Sequence, residues 1–79
     1  MNYADIIKAL PPDVAALLQA KLDAAHVSPS MSQDEVKELL DDAVQMTRLE
    51  MIIADDEKRR LVDSILTMVG PAALKAIFP

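Results

Sequence analysis

The sequence predicts an all-α protein: a small helical bundle of two short N-terminal helices, one long helix over about residues 33–69 and a short C-terminal helix, completed by oligomerisation. Three observations predict it. Residues 32–69 contain neither glycine nor proline. Aliphatic side chains recur through them at alternating spacings of four and three, the signature of a heptad seam. The apolar share is 52%, yet only Tyr3 and Phe78 are aromatic, so the interior must be built from helix-compatible Ala, Leu, Ile, Val and Met.

The first helix is short. Asn2 is a plausible cap for residues 3–10, with Ile6, Ile7 and Leu10 on one side. Pro11-Pro12 ends it, because a residue before proline is pushed out of the α region. Pro12 also suits the first turn of a second helix, with Asp13 at the positive end of its dipole. Val14, Leu17, Leu18, Lys21, Leu22 and Ala25 follow amphipathic spacing, and the helix should fade near His26.

Helix punctuation flanks the third element. Ser32 with Glu35 forms an S-x-x-E capping box, and Met31 with Val36 has the spacing of a hydrophobic staple. Gly70 is expected in the left-handed C′ conformation, and Pro71 should forbid continuation. Between them run Leu40, Val44, Thr47, Met51, Ala54, Lys58, Leu61, Ile65 and Met68, with Thr47 and Lys58 the polar members. An unbroken helix here would be roughly 55 Å long. The six charges of residues 55–60 could instead mark a break, with Asp55 or Asp56 capping a new helix. Continuity is the expectation, because the seam keeps phase across them. A final turn or two over residues 71–78 should bring Phe78 back onto the body.

Seventy-nine residues allow one helical domain, residues 1–79, with a modest core. There is no cysteine, which excludes disulfides, thiolate zinc sites and a cysteine nucleophile and leans towards the cytoplasm. A net charge of −5 with eight scattered bases lacks the basic stripe that phosphate backbones need, so no direct nucleic-acid partner is expected. The longest uncharged run, residues 64–74, is too short for a membrane span, and the N-terminal residues do not resemble a signal peptide.

Catalytic, cofactor and metal sites are not expected. His26 is a lone histidine without ligand spacing, and the single glycine excludes every multi-glycine phosphate loop. The expected surface is one of contact. Leu40, Val44, Met46, Thr47, Met51, Ile53, Ala54, Leu61, Ile65 and Met68 form the candidate interface. Asp34, Glu35, Glu38, Asp41 and Asp42, with Lys58, Arg59 and Arg60, form a candidate electrostatic docking set that would steer association. Residues 1–57 hold twelve acids and four bases, net −8; residues 58–79 hold one acid and four bases, net +3. That asymmetry favours antiparallel pairing of long helices from two subunits, with Asp41 opposite Lys58 and residues 46–54 meeting at the two-fold axis. On that arrangement, acids placed at Met51 or Ile53 should disrupt association more than folding. The bland alternative is a seam that packs only on its own chain.

Asp63-Ser64-Ile65-Leu66 resembles the D-S-L attachment site of acyl and peptidyl carrier proteins. The resemblance covers four residues, and it implies a phosphopantetheine arm on the Ser64 hydroxyl. Carriers hold that serine near mid-chain at the start of an acidic helix. Here 15 residues follow Ser64 and none of residues 65–79 is acidic.

The residues therefore point first to a non-enzymatic interaction module, a small acidic adaptor, chaperone or inhibitor, acting as a homodimer and on another protein. Small secretion chaperones and phage-encoded accessory proteins share its size and class, without a shared motif. A structural subunit of a ring or filament is the second reading, and a carrier-like protein using Ser64 the third.

Overall fold

A computed structural model describes residues 3–78. Its elements are four helices: α1 (Tyr3–Lys8), α2 (Pro12–Ala25), α3 (Gln33–Glu50) and α4 (Asp56–Ile77). No strand occurs among the described residues, so the chain is an all-α helical bundle. The Asn2 cap expected for α1 lies outside them.

The starts of the helices follow local chemistry. Pro12 occupies the first turn of α2, where its missing N–H costs nothing. Ser32 accepts from the Glu35 N–H at 3.2 Å and opens α3, with Asp34 and Glu35 in the first turn. Met31 packs against the buried cluster containing Val36, as a staple should. The end of α2 is sealed at His26, in the left-handed region at φ 51° and donating its N–H to the Asp23 carbonyl.

The long helix is corrected. α3 stops at Glu50, residues 51–55 form a turn, and α4 begins at Asp56. Asp55 caps it, accepting the Lys58 N–H at 2.9 Å, while Asp56 and Glu57 complement the positive end of the dipole. Ile52 and Ile53, β-branched and of middling helix propensity, make the turn cheaper there. The larger reason is burial. A straight helix of 55 Å would outrun the molecule, whose longest dimension is 40 Å, and would leave its seam uncovered. Folding back lets one chain bury both halves, Val36, Leu40 and Val44 from α3 and Val62, Leu66 and Val69 from α4.

A second correction concerns Gly70 and Pro71. Both lie inside α4, and no glycine has positive φ. Pro71 forgoes one helical hydrogen bond, a cost of about 3 kcal/mol in a helix interior. Burial of Val69 and Ala73, with packing of Leu74, Ile77 and Phe78 against the body, outweighs it. The expected separate C-terminal helix is thus the end of α4.

The helices alternate up and down. α2 packs on α3, α3 on α4 and α4 on α1, and α1 touches α2, so the diagonal pairs are α1/α3 and α2/α4. Ile6, Leu10, Val14, Leu18, Val44, Met51, Val62, Leu66 and Val69 form the main core. Val36, Leu40 and Ala73 form a smaller one near the Tyr3 end. Thr47, fully buried, donates its hydroxyl to the Ala43 carbonyl at 2.8 Å, which satisfies the polar seam position without any partner.

Gly70 is buried where α4 comes close to α3, and a Cβ there would lie 3.3 Å from Asp41 Oδ1. Asp41 is exposed and its carboxylate can swing away. Gly70→Ala is therefore expected to stabilise the protein by about 0.5–1 kcal/mol, through the helix propensity it restores. A denaturant midpoint unchanged or lowered would show that Asp41 cannot yield.

Candidate interaction surface

The alternation of helices gives the bundle two unlike ends. Tyr3, Leu22, Val27, Leu40, Ala73, Ala76 and Ile77 line an apolar cavity of about 160 Å³ at one of them. Tyr3 is half-buried there, and its phenol is raised above the usual 10.0, first by burial and second by the Asp23 carboxylate. A group held protonated by folding contributes stability that is complete below its unfolded value and lost as pH rises through the folded one. Stability should thus fall above about pH 10. Tyr3→Phe should flatten that fall relative to wild type in paired melts at pH 9 and 11 (about one unit either side of the phenol's reference value); equal slopes would remove the linkage.

The other end carries the 51–55 turn. Ile52 is 92% exposed and Leu49 83%, the two least covered large aliphatic side chains of the described residues. Ile52 borders two shallow clefts of about 280 and 250 Å³. Both also touch Asp13 and Val14 at the start of α2; Lys58 stands on the first, and Leu17 and Glu50 on the second. Ile52 is therefore set among Asp13, Glu50 and Asp55, with Lys58 the one base lining those clefts among the described residues.

The residues expected at an interface divide. Leu40, Val44, Thr47 and Met51 are buried in the chain's own core, and Ile53 and Ile65 are half-buried against it. Met46, Ala54, Leu61 and Met68 are exposed, with Leu61 the most open at 63%. Leu61 and Met68 stand seven residues apart on one stripe of α4 with Ile65 between them. The docking residues Asp34, Glu35, Glu38, Asp41, Asp42, Lys58, Arg59 and Arg60 are all exposed. The Asp41–Lys58 register is one between two copies on an unbroken helix; within the chain, Asp41 lies beside Gly70 of α4.

Sequence reasoning missed Arg48. Its guanidinium reaches from α3 to α4, donating to Thr67 Oγ1 at 2.7 Å and the Asp63 carbonyl at 3.2 Å. It also bonds Gln45 and stands 3.7 Å from the Asp63 carboxylate. The fork geometry of an arginine suits such multiple acceptors, so Arg48 acts as a strap across the hairpin. Lys21 pairs with Glu50 across α2 and α3. The Arg48 pair could not be read from a sequence taken as one long helix, where Arg48 and Asp63 would be far apart.

Ser64 lies in the third turn of α4, exposed, with its hydroxyl donated to the Arg60 carbonyl at 3.0 Å. Leu66, the last residue of the carrier-like tetrapeptide, is fully buried. Among the described residues no group of three or more His, Asp or Glu could hold a metal ion, and no helix is long and apolar enough to cross a membrane. Comparison with known proteins found no matching family model, curated protein or solved structure.

Proposed function

We propose that the protein is a non-enzymatic protein–protein interaction module, a small acidic adaptor, chaperone or inhibitor, that works through the turn-bearing end of its bundle and self-associates as a homodimer. The observation that carries this reading is the exposure of Ile52, left almost wholly in water on the clefts at one end while the adjacent Met51 is buried, with Leu49 also open three residues before it. Each leaves apolar surface hydrated, and covering it would contribute about 25 cal/mol per Å². The surrounding acids, Asp13, Glu50 and Asp55, would favour a partner segment that is apolar with a basic border.

Solution mass over a concentration series tests the self-association, with Ile52→Asp as the companion variant. Wild type is expected to reach a fixed mass of two chains. Ile52→Asp should remain one chain at the same concentrations while its melting temperature changes little, because the site is exposed. Wild type that stays at one chain throughout would remove the homodimer, and mass that keeps growing would favour the ring or filament subunit.

A further inference from the structure

We infer that the α3–α4 hairpin exchanges between two copies of this chain, the 51–55 turn opening so that α4 of each copy packs on α3 of the other. This rests on the self-association proposed above and specifies its form. The partner is a second copy because the surface that accepts α4 already exists: it is the interface between α3 and α4 within one chain. Exchange keeps every contact of that interface and changes only which chain supplies it.

Three features of the turn permit opening. It holds neither glycine nor proline, so no residue in it is barred from a helix. The Met51 N–H closes the last turn of α3 on the Thr47 carbonyl at 2.9 Å, and the Arg59 N–H closes the first turn of α4 on that of Asp55, so only residues 51–55 must change backbone conformation. At 3.6 residues per turn, Asp63 would fall about 60° from Arg48 around a straight helix, so the two contacting faces stay near one side. The registers agree as well. Arg48 with Asp63, and Asp41 with Gly70, lie equidistant from the junction of Asp55 and Asp56. A two-fold axis at that junction re-forms both pairs between copies. Leu49 and Ile52, exposed in the hairpin, then flank the axis, where the opposite copy can cover them.

The hairpin is held by the Asp55 cap, which a straight helix lacks. Asp55, Asp56 and Glu57 of the two copies also crowd the axis, so salt should favour exchange.

The experiment places a donor and an acceptor dye on Gln33→Cys and Lys75→Cys of one chain, refolded with excess unlabelled chain at high concentration. In the hairpin both positions stand at the same end of the bundle, about one helix spacing apart. In the exchanged dimer the straight helix separates them by about 63 Å. A two-chain mass with low energy transfer is expected. Asp55→Ala should raise the dimer association constant on the order of tenfold, since each copy loses a cap found only in the hairpin. Asp56→Pro should abolish the low-transfer dimer yet keep the folded chain, because proline fits the first position of α4 and cannot sit inside a straight helix. A two-chain mass with high transfer would overturn the exchange and leave the homodimer standing. One-chain mass under all conditions would overturn both.

Discussion

Met51→Asp should remove a large share of the protein's stability. Met51 is the last core residue before the turn, 7% exposed and clustered with Val14, Val44 and Val62. A carboxylate there would be stripped of water and would lack a partner, at a cost of roughly 3–5 kcal/mol. Stability for a chain of this length is about 4–12 kcal/mol. The loss should appear as a collapsed or greatly lowered thermal transition in circular dichroism. The neighbouring Ile52→Asp is the control, one residue away and in water. If Met51→Asp melted like wild type, the turn would have to lie elsewhere and Met51 would have to be exposed.

Leu66→Ala should be the next most damaging change. Leu66 is fully buried and lies in the main core, and it borders the cleft between α3 and α4. Truncation to Ala in such a position costs roughly 2–5 kcal/mol, set by how far the cavity collapses. For a domain of this size that is a fall in melting temperature of roughly 10 °C or more. Ser64→Ala, two residues away and exposed, should shift stability by no more than about 0.5 kcal/mol. Near-equal midpoints for the two variants would place α4 in a different rotation about its axis. The contrast also bears on the carrier-like tetrapeptide, since Leu66 is committed to the core of this bundle.

The elements that were legible in the sequence are those whose signals act within one turn of helix. Pro12, Ser32 and the fade at His26 each did locally what their chemistry dictates. So did the first half of the seam, since Leu40, Val44, Thr47 and Met51 are all inside; on α4 the seam residues Leu61 and Met68 are exposed, and Val62, Leu66 and Val69, one position on, are buried instead. The failures share a cause. Residues 55–60 carried both a cap signal, at Asp55, and an unbroken heptad phase. Phase alone could not tell a straight helix covered by a partner from two helices that cover each other. That choice depends on contacts more than ten residues apart, such as Arg48 with Thr67. Gly70-Pro71 failed for the same reason, because burial of Val69 and Ala73 on either side outweighed a strong local stop. The surface was least legible. Apolar pattern marks what wants cover, and four of the ten expected contact residues found it within the chain's own core.

Tyr3 and Ile77 line one cavity, so the first and last helices meet at the end opposite Ile52. Anything joined before Tyr3 or after Phe78, whether an affinity tag, a sensor chip or a fused domain, is thereby carried on the far side. Tethering by either route leaves the 51–55 turn pointing into the medium. The protein can be displayed with its Ile52 end outward without redesign of the chain.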